Sequence, residues 1–175
     1  TLAEGLGSAE DVAAALKDLQ RREDIEGGVL VFSDGHRVKV KTADYIRRHK
    51  ILANIQNERY AYQAVLDDVV DDTAVALGGA RGRALVDFSE DLIGAIHHAA
   101  DTIGAEARAL EHLDPRSRAT EVKARFSTPA QGIAFAALKG EDPRARLREI
   151  VATRLSSLEK RTQIKTAFDL PSWTA

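Results

Sequence analysis

The chain has 175 residues, of which 44% are hydrophobic and 30% are charged, and its formal net charge is −2. These proportions are typical of a soluble globular protein and exclude a fibrous, a disordered or a uniformly basic nucleic-acid-binding chain. Without cysteine, disulfide bonds and thiolate chemistry are also excluded. We find neither a secretion signal nor an apolar run long enough to cross a bilayer, so we expect a cytoplasmic protein with no membrane partner.

The first predicted element is a helix that begins at Ser8. Ser8 followed by Asp11 is a helix-capping pattern, and apolar residues then recur at helical spacing up to about Glu23.

A β-hairpin is predicted next, with strands at 27–33 and 37–42 joined by a turn at Asp34-Gly35. If the turn has two residues, Leu30 faces Lys39 and Gly28 faces Lys41. Because opposite residues share a face, one face is expected to form a core of four valines, which are Val29, Val31, Val38 and Val40. The other face would combine apolar and charged residues, which are Glu26, Gly28, Leu30, Phe32, Arg37, Lys39 and Lys41.

A face that mixes apolar side chains with ammonium groups suits a nucleotide site. Its apolar floor would accommodate a base or ribose, and Lys39 and Lys41 would bind phosphate oxygens. The carboxylate of Glu26 could bind a ribose hydroxyl or hold Mg²⁺ through its water ligands. The alternative is an ordinary hairpin whose edge lysines are hydrated, and the spacing leaves both interpretations open.

The hairpin also indicates that strands are missing. A two-stranded ribbon with apolar residues on both faces is marginal by itself, and no further strand pattern follows it. We therefore expect the remaining strands upstream of Thr1, so that the chain is a fragment of a longer protein. In their absence, Leu30 and Phe32 would favour a homodimer or a domain swap.

The rest of the chain is predicted to be helical. Helices are expected at 43–49, 57–70 and 83–113, from Thr128, and from Asp142 to about Lys160. The clearest is 83–113, in which apolar residues recur in steps of three and four, at Leu85, Phe88, Leu92, Ile96, Ala99, Ile103 and Leu110. The predicted fold is mainly α, with an N-terminal helix and hairpin in residues 1–50 and an all-helical domain in residues 51–175.

Charged residues are distributed unevenly along the chain. A first basic cluster consists of Arg37, Lys39, Lys41, Arg47, Arg48 and Lys50. A second consists of Arg144, Arg146, Arg148, Arg154, Lys160, Arg161 and Lys165. This asymmetry suits a phosphate-bearing partner, although hydrated helix faces explain the second cluster equally well.

Motifs in the hairpin resemble those of a known enzyme superfamily. E-G-G-V from Glu26 and K-V-K from Lys39 resemble the last two signature motifs of covalent nucleotidyltransferases, which include RNA ligases, DNA ligases and mRNA capping enzymes. The run T-A-D-Y-I-R-R-H, with Tyr45 and His49, and the A-Q-G segment at 127–150 are similar to the phage-type RNA ligases, the RNA ligase 1 type of T-even phages. Only helices are predicted after K-V-K, whereas DNA ligases and capping enzymes continue with a small β-barrel.

This resemblance implies an ATP-dependent RNA ligase that joins 5′-phosphate and 3′-hydroxyl ends during RNA repair, with ATP and Mg²⁺ as cofactors. Residues 1–50 would be the end of its adenylation domain, and residues 51–175 a helical domain that contributes to the choice of RNA, with tRNA as one candidate. Lys39 and Lys41 would contact the nucleotide phosphates, with Lys41 nearest the α-phosphate, and Glu26 would assist the metal or the nucleotide.

The chain departs from the family at the nucleophile motif K-x-x-G, which has no counterpart here. Lys17 is the only lysine before the hairpin, and it lies in a helical pattern without the glycine. We therefore expect the C-terminal part of a ligase, inactive without its N-terminal nucleotidyltransferase part. The alternative is a non-catalytic helical module that binds RNA or protein and whose hairpin only decorates the fold.

Overall fold

The computed structural model describes residues 8–23 and 25–174. These residues form nine helices and two strands, and the mainly α class with an N-terminal hairpin is confirmed. The elements are α1 (Ala9–Arg21), β1 (Gly27–Val31), β2 (Arg37–Lys41), α2 (Ala43–Ala53), α3 (Glu58–Leu66), α4 (Val70–Leu77), α5 (Gly79–Arg108), α6 (Pro115–Arg125), α7 (Thr128–Leu138), α8 (Pro143–Arg154) and α9 (Leu158–Phe168). They divide into two compact units between Ala53 and Asn54.

In the first unit, α1 begins at the predicted capping box. The Ser8 hydroxyl accepts a 3.1 Å hydrogen bond from the Asp11 N–H, and the Asp11 carboxylate accepts one of 3.1 Å from the Ser8 N–H. These bonds satisfy two donors that the first turn of a helix leaves unpaired. Leu19, near the other end of α1, covers Gly28 of β1, where an added Cβ would lie 2.9 Å from Leu19 Cδ2. One face of the hairpin is therefore shielded by α1.

The strands β1 and β2 are antiparallel, but the predicted register is wrong by one residue. Val29, not Leu30, lies opposite Lys39, and Gly27 lies opposite Lys41. The loop has three residues instead of two, because the Phe32 N–H donates to the His36 carbonyl oxygen at 2.8 Å. Gly35 within it has φ 86°, as is typical of three-residue hairpin loops.

The extra loop residue changes which side chains share a face. The predicted four-valine core is wrong, since Val29 and Val31 share the open face with the side chains of Arg37, Lys39 and Lys41. Val29 is 55% exposed and Val31 is 63% exposed. The face toward α1 instead carries Gly28, Leu30, Val38 and Val40, of which all but Val38 are half-buried.

The second unit is built around α5, which packs against α3, α4, α7, α8 and α9. The helix predicted at 83–113 begins earlier, at Gly79, and ends earlier, at Arg108. Its buried stripe matches the prediction up to Ile96 and then continues through Ala100, Gly104 and Ala107, whereas the predicted Ala99 and Ile103 are half-buried. The buried residues of the stripe are Leu85, Phe88, Leu92, Ile96, Ala100, Gly104 and Ala107. Gly104 brings α8 close, since a Cβ there would lie 3.0 Å from Pro143 Cγ. Although α5 is the longest element, neither it nor any other helix within the described residues combines the length and the apolar character that a bilayer crossing requires.

Two predicted helices end earlier than expected, and each is followed by a separate helix. The helix predicted at 57–70 ends at Leu66, and Asp68 adopts a left-handed φ of 57° before α4 begins. Such a conformation cannot continue a right-handed helix. The helix predicted from Asp142 ends at Arg154, and α9 begins anew where the Ser157 hydroxyl caps the Lys160 N–H at 3.3 Å.

The C-terminal segment is anchored within this unit by aromatic residues. Trp173 is 7% exposed, and its indole N–H donates a 2.7 Å hydrogen bond to the Ile55 carbonyl oxygen. Its ring centre lies 5.3 Å from that of Phe88. The hydroxyl of Tyr62 donates a 2.6 Å hydrogen bond to the Pro171 carbonyl oxygen. Buried aromatic side chains with a polar group commonly satisfy that group in this way.

A largely buried carboxylate, that of Glu58, connects α3 to α9 and to the C-terminal segment. Arg161 donates to it at 3.0 Å, and Lys165 forms a second ion pair with it. The main-chain N–H of Trp173 also donates to this carboxylate, at 3.3 Å. Its burial is therefore compensated by three donors.

Candidate functional site

The open end of the hairpin is closed by backbone contacts that bring Glu26 next to Lys41. The Thr42 N–H donates to the Glu26 carbonyl oxygen at 3.0 Å. Gly27, which directly follows Glu26, has φ 156°. An added Cβ would lie 2.0 Å from the Val40 carbonyl oxygen, so only glycine fits at this position.

This irregular glycine affects where Glu26 can reach. Strict alternation would place Glu26 on the face of Gly28 and Leu30, away from the lysines. Instead, Glu26 Oε1 lies 3.7 Å from Lys41 Nζ. The structure thus brings the predicted acid and lysine together, although not through the register that was predicted.

All three predicted site residues border one shallow depression of about 180 Å³. Its lining consists of Glu26, Gly27, Gly28, Val29, Lys39, Val40 and Lys41. Leu30 and Phe32, the predicted apolar floor, are not among these residues. The apolar side chains of the depression are those of Val29 and Val40, and the shifted register places Val29 beside the lysines.

The first helix after the hairpin adds an aromatic ring to the site. Lys41 Nζ lies 4.4 Å from the centre of the Tyr45 ring. The Tyr45 ring in turn lies 5.5 Å from that of His49, one turn further along α2. A cation over an aromatic face is attracted by the ring quadrupole, so Tyr45 favours one position of the Lys41 ammonium group.

The first basic cluster divides into two parts. Asp44 is buried in the first turn of α2, where its carboxylate binds Arg47 at 2.7 Å and Arg48 at 2.9 Å. The two arginines of α2 are thus paired with Asp44, whereas Lys39 and Lys41 border the depression. Ammonium groups on a partly exposed surface are suitable ligands for phosphate oxygens.

The size of the depression limits what it can hold. Ligand pockets usually enclose roughly 300–1,000 Å³, which is more than the volume found here. Two ammonium groups and one carboxylate fit the phosphate end of a nucleotide and its cation, whereas the base and ribose would need further walls.

Within residues 8–23 and 25–174, no group of three or more His, Cys, Asp or Glu side chains is arranged to bind a metal ion. Glu26 offers a single carboxylate. Such a ligand suits Mg²⁺, which commonly keeps several waters and binds one or two carboxylates together with substrate phosphates.

The A-Q-G segment of α7 has a structural role within the second unit. The Gln131 side-chain amide donates to the Phe126 carbonyl oxygen at 3.0 Å, at the end of α6. Gly132 lets α8 approach, since a Cβ there would lie 3.6 Å from Ile150 Cδ1 and 3.9 Å from Arg146 Nε. Both residues are therefore explained by helix packing.

Most of the second basic cluster is engaged within the protein. Arg144 binds Asp101 at 2.5 Å, and Arg146 binds Glu149 at 2.8 Å. Arg148 donates to the Leu66 carbonyl oxygen at 3.3 Å. Arg161 and Lys165 bind Glu58. These contacts favour the interpretation of this cluster as a helix surface over that of a phosphate-binding patch.

Sequence reasoning missed Thr42, which is fully buried between β2 and α2. Its hydroxyl donates to the Ile25 carbonyl oxygen at 2.8 Å and accepts from the Tyr45 N–H at 3.1 Å. A threonine directly before a helical pattern is a usual capping signal, and that signal could have identified it.

Comparison with protein-family models, with curated proteins and with solved structures finds no match for this chain. The assignment of the site depends on the chemistry of its own residues.

Proposed function

We propose that this chain is the C-terminal part of an ATP-dependent RNA ligase that joins 5′-phosphate and 3′-hydroxyl ends, with tRNA as one candidate substrate. The observation that supports this most is the convergence of Glu26, Lys39 and Lys41 on one depression, with the Glu26 carboxylate 3.7 Å from Lys41 Nζ. In this proposal, the first unit supplies the phosphate end of an adenylation site, and the helical unit contributes to RNA choice.

The proposed task of the two lysines is electrostatic. When a lysine of the N-terminal part attacks the α-phosphorus of ATP, a P–N bond forms, the α–β phosphoanhydride bond breaks and pyrophosphate leaves, so negative charge on the phosphoryl oxygens must be stabilised. Ammonium groups that are already in position do this without reorganisation during the reaction. We assign Lys41 to the α-phosphate, because the Tyr45 ring, 4.4 Å from its ammonium nitrogen, limits its movement.

Glu26 has two proposed states. Without nucleotide, its carboxylate pairs with Lys41, and an exposed pair of this kind contributes only about 0–1 kcal/mol, so phosphate can displace it readily. With nucleotide, the carboxylate would be released from Lys41 and would then be available to a water ligand of Mg²⁺ or to a ribose hydroxyl. Mg²⁺, when bound, would supply additional positive charge at the phosphates.

The second candidate is a non-catalytic helical module that binds RNA or protein. The observation that favours it is the small, open depression, whose two lysines are exposed to water as on an ordinary hairpin. Under this alternative, Lys41 has no part in any covalent step. The two functions therefore predict different behaviour when Lys41 is replaced.

Adenylylation of the complete gene product tests the proposal. The protein is incubated with α-phosphate-labelled ATP and Mg²⁺, and we expect AMP on a lysine of a K-x-D-G or K-x-N-G motif that precedes Thr1. Lys41→Ala should abolish this adduct. Arg37→Ala is the matched control, because Arg37 lies on the same strand and face but does not line the depression, and it should change the rate by less than about threefold.

Two results would favour the helical module. One is a complete gene product that contains no such motif and forms no adduct. The other is an adduct that forms in Lys41→Ala at the rate of the Arg37→Ala control.

A further inference from the structure

We infer that Thr42 is a positioning residue that holds the acid and the phosphate-binding lysine of the site in one arrangement. The inference depends on the proposed function for its catalytic meaning, while its geometric content can be tested without it. Thr42 does not line the depression, so we expect any effect on the reaction to pass through its neighbours.

The hydrogen bonds of Thr42 connect the segment before β1 with the start of α2. Its hydroxyl donates to the Ile25 carbonyl oxygen at 2.8 Å, and its N–H donates to the carbonyl oxygen of Glu26 at 3.0 Å. Thr42 thus binds the carbonyl oxygens of both Ile25 and Glu26. The backbone on either side of the Glu26 side chain is thereby fixed to the end of β2.

The same hydroxyl acts on the other side as a helix cap. It accepts the 3.1 Å hydrogen bond from the Tyr45 N–H, and the Thr42 carbonyl oxygen accepts the Ile46 N–H at 3.1 Å. This sets the beginning of α2 and therefore the place of the Tyr45 ring beneath Lys41 Nζ. Lys41 itself directly precedes Thr42. One buried hydroxyl consequently connects the three side chains Glu26, Lys41 and Tyr45.

Burial makes this arrangement sensitive to the hydroxyl. Thr42 is 0% exposed, so its hydroxyl is shielded from water and depends on these two protein partners. Thr42→Val keeps the shape but leaves the Ile25 carbonyl oxygen and the Tyr45 N–H without their partner, which favours a local rearrangement. Thr42→Ser removes only a methyl group and retains the hydroxyl.

The geometric part is tested on the 175-residue chain by NMR. Because Lys41 Nζ lies over the Tyr45 ring, we expect the protons on its ε-carbon to show an upfield ring-current shift. We expect Thr42→Val to lose most of this shift and Thr42→Ser to retain it. Ser8→Ala is the control, since it removes a helix cap of the same unit outside the site. An unchanged shift in Thr42→Val, a lost shift in Thr42→Ser, or general loss of the hairpin signals in Thr42→Val would overturn the inference.

The catalytic part is tested on the complete gene product by single-turnover adenylylation. A misplacement of about 1 Å can slow a reaction about 100-fold, and we expect a loss of that order in Thr42→Val. Thr42→Ser and Ser8→Ala should stay close to the unchanged protein. A Thr42→Val rate equal to that of Ser8→Ala would contradict the positioning role. If the unchanged protein forms no adduct while the NMR result holds, the proposed function is wrong and the geometric role of Thr42 stands.

Discussion

The ammonium nitrogen of Lys41 lies 4.4 Å from the centre of the Tyr45 ring. At a partly exposed site such a contact contributes about 0.5–1 kcal/mol, so its loss should slow a reaction that uses Lys41 about two- to fivefold. We therefore predict that Tyr45→Leu slows adenylylation of the complete gene product to this extent. Tyr45→Phe keeps the aromatic face and should react at close to the original rate in single-turnover assays. A Phe variant as slow as the Leu variant would show that the hydroxyl group matters instead of the ring.

Gly27 is predicted to be indispensable for the closed end of the hairpin. Its φ of 156° and the 2.0 Å approach of an added Cβ to the Val40 carbonyl oxygen both exclude a side chain. Gly27→Ala should cost about 1–3 kcal/mol locally. Hydrogen exchange measures this directly, since the Thr42 N–H that donates to Glu26 should lose protection.

Gly35→Asn is the matched control for this loss. Gly35 also has a positive φ, of 86°, but an added Cβ meets nothing within 4 Å, and asparagine tolerates left-handed backbone. Protection of the Thr42 N–H should persist in this variant. Equal loss in both variants would argue against the steric explanation.

Local chemistry made much of the fold predictable. Short-range patterns identified the capping box at Ser8 and the buried stripe of α5 from Leu85 to Ile96. Beyond Ile96 the stripe turns to Ala100 and Gly104, because α8 packs closely at Gly104, which is a long-range effect. Boundaries were less predictable, because Asp68 ends a helix through a left-handed backbone conformation that aspartate adopts only in some contexts. The hydrogen bond from Trp173 to Ile55 could not be predicted from local sequence patterns, because it joins residues that are far apart in the chain.

The candidate site shows how one residue in a loop changes a whole surface. The residues Glu26, Lys39 and Lys41 were predicted to lie together, and they do. The predicted reason was wrong, because a loop of three residues in place of two exchanges the faces of β1 relative to β2. Asp34-Gly35 is compatible with either length, so the sequence did not distinguish them.

Low pH should decrease the stability of the helical unit through protonation of Glu58. Burial acts to raise the pKa of Glu58, but hydrogen bonds from Lys165 and Arg161 outweigh it, and the pKa lies below its ordinary value of 4.5. A carboxyl group with a lowered folded-state pKa stabilises the fold above its unfolded pKa, and this contribution is lost as the pH falls through the folded value. We predict that the melting temperature falls as the pH is lowered from about 4.5.

Glu58→Gln tests the origin of this pH dependence. It should lower the melting temperature at pH 7 and flatten the decrease below pH 4.5. The control is Glu149→Gln, which removes an exposed carboxylate paired with Arg146 and should leave the profile nearly unchanged. A Glu58→Gln profile parallel to that of the unchanged protein would show that other groups cause the acid sensitivity.

Exposed valines on the hairpin are predicted to promote self-association of the 175-residue chain. Val29 and Val31 are 55% and 63% exposed on the open face of the hairpin, so a second copy of the chain could cover them. They replace Leu30 and Phe32, the residues that were predicted to cause association. Light scattering over a range of concentrations should show dimers, and replacing both valines by threonine should reduce them.

Val75→Thr provides the control for self-association, since Val75 is 83% exposed on α4. It should leave the dimer fraction unchanged. A strictly monomeric unchanged chain would refute this prediction without bearing on the ligase proposal.

The most direct measurement of the central claim is a crystal structure of the complete gene product with bound ATP. We predict that Lys41 Nζ lies within about 3.2 Å of an α-phosphate oxygen, with Lys39 beside the same phosphates. The Glu26 carboxylate should have moved from Lys41 toward the ribose or a metal-bound water. ATP bound elsewhere, with no phosphate contact to Lys39 or Lys41, would contradict the account.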